Sequence, residues 1–274
     1  MSPAIARPHC RSHSRSGPIA ALGAIAILVT GCQNISVLDS LNQFSSSSAP
    51  TPAKTDIDWR REAESLGAKY RADPGDPDVA LAYAQSLRAS GQRSQAVSVL
   101  EQASLRQPRN TVLLGAYGKA LAEVGNLEQA LEVLERAHSP DQPDWRILSA
   151  QGAVLDQLGQ HKEAQGHYAS ALKIKPEDPS VLSNLGLSYA LTKDLKQAEA
   201  TLRRAAALAG ADPRVRQNLA LVVGLQGRFS EAETIARADL PSEEAAANVA
   251  YLRQMLAQQD DLKNIGRPPP ARRT

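Results

Sequence analysis

The chain has 274 residues, 42% of them hydrophobic but only 4% aromatic, and its 31 basic and 29 acidic side chains give a net charge of +2. That balance excludes the broad positive field of a nucleic-acid binder, and no nucleic-acid partner is expected. The two cysteines, Cys10 and Cys32, both lie near the N-terminus, so neither a disulfide nor a cysteine-based metal site holds the rest of the chain together.

Residues 1–17 carry Arg7, Arg11 and Arg15 and no acid, the pattern of a secretory n-region. Residues 18–30 form an apolar h-region. As a helix these residues reach about 20 Å, short of the roughly 30 Å bilayer core, which favours a cleaved signal over a transmembrane anchor. Removing residues 1–31 takes away those three arginines and leaves 28 basic against 29 acidic residues, a net charge of −1.

The segment ends Leu28-Val29-Thr30-Gly31-Cys32, which resembles the bacterial lipobox. The resemblance implies cleavage before Cys32, a diacylglyceryl thioether on its sulfur and acylation of the new amine. Several acyl chains satisfy the two-signal rule for stable membrane anchoring. Gln33, rather than Asp, follows the cysteine, which resembles the outer-membrane sorting pattern. The alternative is a soluble periplasmic protein in which Cys32 is incidental.

Residues 32–55 then form the lipidated N-terminus and a tether. Ser45-Ser46-Ser47-Ser48, Pro50 and Pro52 argue for a flexible linker with a root-mean-square span of about 25 Å. A short amphipathic helix around Ile35, Val37, Leu38 and Leu41 is the other reading.

Beyond the tether the sequence repeats. Ala96-Leu100-Ala103 recurs as Ala130-Leu134-Ala137, Ala164-Tyr168-Ala171 and Ala198-Leu202-Ala205. Upstream, Ala84, Gly118, Gly152, Gly186 and Ala220 keep the same 34-residue step, as do Gly91, Gly125, Gly159, Lys193 and Gly227. This predicts five helical hairpins at 77–110, 111–144, 145–178, 179–212 and 213–246. In each, a small residue permits close approach of the two helices, a left-handed position stops the first, and an Ala-Leu-Ala stripe faces inward from the second. One hairpin cannot bury both its faces, so neighbours must stack. Residues 56–73 read as the second helix of an incomplete unit. Residues 242–259 read as a terminal helix, completing a domain over 56–259. Residues 260–274, with Pro268-Pro269-Pro270 and three arginines, read as a disordered tail.

The period and the small/large pattern resemble the tetratricopeptide repeat, which implies an all-α, right-handed superhelix of about five repeats with capping helices. Departures are local. Leu114, Leu148 and Leu182 stand where the family prefers Trp, Lys193 replaces a turn glycine, and Asp239 replaces a late alanine. The family pattern directs certain first-helix residues into a concave groove: Gln85, Arg88, Lys119, Arg146, Asp156, Asn184, Leu187, Arg214, Gln217 and Asn218. Asn184 and Asn218 are either ligand-backbone contacts, since an amide both donates and accepts, or ordinary filler. A carboxylate clamp of clustered Lys and Arg is not evident.

No GxSxG, P-loop or HExxH motif occurs, so no enzyme, cofactor or metal site is expected. His161 and His167 are six residues apart, which is wrong for one helical face. Asp260-Asp261 and Glu243-Glu244 read as solvated charges. Trp59 and Trp145 are either interface anchors or, for Trp145, packing at an inter-repeat turn. A lipobox, a tether and about five such repeats together resemble the TadD family of tight-adherence (Flp) pilus assembly lipoproteins, and PilF-type pilotins and NlpI-type adaptors share that layout. The resemblance implies a scaffold on the periplasmic face of the outer membrane that binds secretin or pilus assembly components. Its rivals are an envelope adaptor for peptidoglycan hydrolases or outer-membrane protein insertion, and the repeat module of a periplasmic enzyme.

Overall fold

The computed structural model describes residues 54–265, and side chains among them as far as Gln258. The leader, Cys32, most of the tether and the Pro268-Pro269-Pro270 tail lie outside the described residues. Twelve helices follow one another within them: α1 (Asp56–Ala72), α2 (Pro77–Ala89), α3 (Arg93–Arg106), α4 (Thr111–Glu123), α5 (Leu127–Glu135), α6 (Trp145–Gln157), α7 (His161–Ile174), α8 (Pro179–Leu191), α9 (Leu195–Ala206), α10 (Pro213–Leu225), α11 (Phe229–Ala236) and α12 (Ser242–Ile265). The pairs α2/α3, α4/α5, α6/α7, α8/α9 and α10/α11 are antiparallel hairpins whose first helices start 34 residues apart, as do their second helices.

The sequence sets each boundary. Every first helix is preceded by Asp or Asn at the same step: Asp76, Asn110, Asp144, Asp178 and Asp212. Each of these short side chains accepts a hydrogen bond from a first-turn amide that has no partner within the helix. Pro77, Pro179 and Pro213 then occupy N1, where the missing N–H costs nothing.

The first helices end on a left-handed residue, with φ of 81° at Gly91, 85° at Gly125, 78° at Gly159, 64° at Lys193 and 82° at Gly227. The reversal feeds two amides back onto the helix end. Gly159 N–H donates to the Asp156 carbonyl at 3.1 Å and Gln160 N–H to Leu155 at 2.9 Å. Lys193 and Asp194 make the same two bonds onto Ala190 and Tyr189, so the turn keeps its geometry without a glycine.

Small residues let the two helices of a hairpin touch. A Cβ placed on Gly118 would lie 2.6 Å from Leu134 Cγ, one on Gly152 2.7 Å from Tyr168 Cε1, and one on Gly186 2.6 Å from Leu202 Cγ. Leu134, Tyr168 and Leu202 are fully buried in return. Second helices differ in length: α5 has 9 residues against 14 for α3 and α7. Its early end is followed by Pro140 and Pro143 and a tight turn in which Ser139 bridges Gln142.

At the N-terminal end α1 packs on α2, with Gly67 beneath Tyr83 and the Tyr70 ring 5.8 Å from that of Tyr83. At the other end α12 covers α10 and α11 through Ala245, Val249 and Leu252. Its backbone remains helical to Ile265, past residue 259 where the sequence pattern predicts its end. The reason is that no Gly or Pro interrupts the chain between Pro241 and Gly266. No helix among the described residues is long and apolar enough to cross a membrane.

A candidate protein-binding face

First helices of successive hairpins lie directly against one another, α2 on α4, α4 on α6, α6 on α8 and α8 on α10. Backbones of successive second helices lie farther apart among the described residues, although side chains of α9 and α11 still pair across the space between them. The stack is therefore tighter along its first helices, which form the inner side of its curve and carry all the groove candidates.

Side chains there divide into two groups. Gln85, Arg146, Arg214 and Gln217 are exposed, and Arg88 and Lys119 are half-buried. Arg88 donates to the Glu123 carboxylate of the next first helix, a contact between elements 35 residues apart in sequence. Burial, reinforced by the neighbouring Arg88 and Arg146 charges, pulls the Lys119 ammonium down to about 8 against the opposing pull of Asp144 and Glu123. Lys119 thus lies where the charges of three successive hairpins converge, a gathering that spacing alone does not reveal.

The second group is engaged within the stack. Asn184 is 1% exposed and its Nδ2 donates to Ser149 Oγ at 3.4 Å, while Asn218 Nδ2 donates to Ser183 Oγ at 3.1 Å. Both amides bridge one first helix to the preceding one, a place in the packing that matches the second of their two readings, ordinary filler, rather than a side chain projecting into a groove. Their i,i+35 partners are polar only in these units, so a Ser 35 residues before an Asn was the available signal. Asn184 Oδ1 and Gln151 Oε1 are buried acceptors without a hydrogen-bond partner. Leu187 is also buried, at 8% exposure.

Asp156 is likewise internal. Its carboxylate accepts from Ser188 Oγ at 2.8 Å and Tyr168 OH at 3.1 Å, and lies 2.9 Å from His161 Nδ1. The network ties α6, its partner α7 and the following α8. Burial pushes the Asp156 carboxyl up, against the opposing hydrogen bonds from His161, Ser188 and Tyr168. Ser188 faces the carboxylate rather than the imidazole, so the three residues are not arranged to activate a nucleophile. His161 is engaged in this contact with Asp156. No group of three or more His, Cys, Asp or Glu side chains among the described residues is arranged to hold a metal ion.

Trp145 opens α6 and packs half-buried against the α7–α8 cluster, with the Arg146 guanidinium 4.6 Å from its ring centroid. Trp59 stands on α1 with Lys54 Nζ 4.4 Å from its ring. Asp239, which stands in place of a late alanine, receives the Arg216 guanidinium just after α11 and fastens the last hairpin.

The stacked hairpins, their small/large seams and their left-handed turns define an all-α repeat fold of 34-residue helical hairpins. The tetratricopeptide-repeat family model matches residues 87–153 and 157–222. Among solved structures, PilW, described as a widely conserved type IV pilus biogenesis factor, is 17% identical with a TM-score of 0.61 over 71% of this chain and 91% of that one. The tetratricopeptide protein TTC0263 of Thermus thermophilus is 23% identical, with a TM-score of 0.54 over 65% of this chain and 96% of that one. The APC/C hetero-tetramer Cut9-Hcn1 is 19% identical with a TM-score of 0.56 over 70% of this chain, which spans 39% of that chain. At these identities the likeness is one of fold alone. No curated protein matches the sequence.

Proposed function

We propose that this protein is a lipid-anchored scaffold at the periplasmic face of the outer membrane, supporting assembly of a Tad/Flp-type pilus secretion apparatus by binding one of its proteins. The observation that carries the binding part is the inner row of first helices, which aligns exposed Gln85, Arg146, Arg214 and Gln217 with half-buried Arg88 and Lys119 along one side of the stack. Repeat stacks offer such surfaces to extended or helical segments of other proteins. This supports a scaffold rather than an enzyme.

The anchoring part rests on Leu28-Val29-Thr30-Gly31-Cys32, and the pilus part on the order of lipobox, tether and repeats. The structural likeness to PilW, a type IV pilus biogenesis factor, is in keeping with that order. Lipid at Cys32 would fix one end of the chain, and the tether would let the array sample roughly 25 Å around its root.

The test is genetic and biochemical. Cys32→Ser should abolish incorporation of labelled palmitate and move the protein out of the outer-membrane fraction, and pilus assembly should fail in the same strain. Normal labelling removes the anchor. Normal pili in a strain lacking the whole protein remove the pilus role and leave a general envelope adaptor.

A further inference from the structure

One joint of the stack is built of different material from its neighbours. Four positions recur where the end of a first helix, its second helix and the next first helix come together. In the second hairpin they are Ala122, Leu127, Leu134 and Val154, and in the fourth Ala190, Leu195, Leu202 and Val222, all apolar. In the third hairpin, 34 residues from either set, they are Asp156, His161, Tyr168 and Ser188. Here hydrogen bonds replace apolar contact, with the Asp156 carboxylate receiving Ser188 Oγ at 2.8 Å and Tyr168 OH at 3.1 Å and lying 2.9 Å from His161 Nδ1. Putting a buried charge where leucine and alanine would pack adds no stability of its own. The four joint departures therefore point to a property that apolar packing lacks, a response to protons.

The carboxylate is sealed in and its counter-charge is not. The Asp156 side chain is 1% exposed and the His161 side chain 27%. Facing Asp156 are His161 and Tyr168 from α7 and Ser188 from α8, and α4 carries Ala122 at the equivalent level. Gln165 of α7 adds contacts that do not titrate, to the Ser188 carbonyl and the Thr192 hydroxyl of α8, each at 3.4 Å. On α7 itself the exposed Lys162 and Glu163 follow His161. Burial raises the Asp156 carboxyl, so ionising it costs the folded stack stability as the pH climbs from the ordinary 3.8 through the raised folded value. An imidazolium beside it offsets that cost, whereas a neutral imidazole keeps the hydrogen bond but not the charge. Histidine is the side chain that changes charge between about pH 5 and 8.

We propose that Asp156 and His161 form a proton-operated latch at the joint between the third and fourth hairpins: protonated His161 holds α6, α7 and α8 together, and its neutral form lets α8 part from α6 more readily. The Asn184 Nδ2 bond to Ser149 Oγ spans the same two first helices and does not titrate, so the joint loosens rather than comes apart. The joint lies inside the row of first helices, with α2 and α4 before it and α10 after it. Loosening it changes how that row is held while the apolar joints on either side stay as they are. The latch works in this way whatever protein the row engages.

Hydrogen–deuterium exchange of the purified full-length protein reads the joint directly. With rates referred to those of unstructured peptides at each pH, α8 amides should lose about fivefold in protection between about pH 5.5 and 8, and those of α4 and α10 should change less. His161→Gln keeps a hydrogen-bond donor without a titrating charge, so its α8 amides should show the parent's high-pH protection throughout the range. Asp156→Asn removes the buried charge and should level the profile. If Asp156→Asn fails to fold by circular dichroism, the His161→Gln comparison decides alone. Constant protection of α8 in the parent, an equal slope in α4 and α10, or the parent's slope retained in His161→Gln or in folded Asp156→Asn overturns the latch.

Discussion

One backbone torsion separates the fourth turn from its counterparts. Lys193 holds φ at 64°, where Gly91, Gly125, Gly159 and Gly227 sit without strain. An L side chain in this region costs roughly 1–2 kcal/mol, and a glycine there gives back part of that gain as greater freedom of the unfolded chain. Lys193→Gly should therefore raise stability by about 0.5–1 kcal/mol, seen as a modest rise in melting temperature. A fall would mean that the lysine side chain contributes a contact worth more than the strain. The reverse experiment is Gly152→Ala. The added methyl meets the fully buried Tyr168 ring at 2.7 Å, and overpacking of this kind costs about 1–3 kcal/mol. An unchanged denaturant midpoint would show that α6 and α7 are not in the contact described. Both positions were legible in the sequence, because a 34-residue period exposes the position that breaks it. The buried amides were not. Asn184 and Asn218 occupy a register that family pattern assigns to a groove, and only the approach of neighbouring first helices shows them bonded to Ser149 and Ser183.

Between elements, the last second helices are joined by charge as well as by alanine and leucine. Glu199 on α9 accepts from Arg228 Nη1 at 2.7 Å, Gln226 Nε2 at 2.8 Å and Arg203 Nε at 2.9 Å, and both arginines also reach Glu231 on α11. Burial alone would raise the Glu199 carboxyl, but the hydrogen bonds from Arg228, Gln226 and Arg203 outweigh it and hold the group at about 2. The folded value lies below the ordinary 4.5, so the stabilisation is complete above that pH and is lost as the pH falls towards about 2. Glu199→Gln should flatten the acid side of the stability–pH profile in denaturant titrations. Raised salt should shrink the difference, because both arginines are more than a third exposed. A profile identical to the parent's would place the α9–α11 junction on apolar contact alone. Sequence separation hides this network, since Glu199 and Arg228 stand 29 residues apart with no motif to join them. By contrast the caps at Asp76, Asn110, Asp144, Asp178 and Asp212 were open to the period and add a further column to it.

At the scale of the described array, the repeats place every first helix on one side, so the character of that side follows from five short stretches of sequence. The residues of that side were written in the chain at fixed steps, but the face they share depends on how closely successive first helices approach. That approach uses small residues such as Gly115 beneath Ile147, where an added Cβ would lie 2.7 Å from Ile147 Cδ1, a closeness that no propensity scale reports. On the proposed function, this side engages a partner protein while the second helices do not. Site-specific photocrosslinking in living cells tests it most directly, with the crosslinking residue placed at Leu191 or Gln217 on the inner side, or at Glu132 or Lys173 on exposed second helices. Under the proposed function, adducts with the secretin or another pilus assembly protein are expected from the inner positions only. The same adducts from Glu132 and Lys173, with none from Leu191 or Gln217, would contradict it.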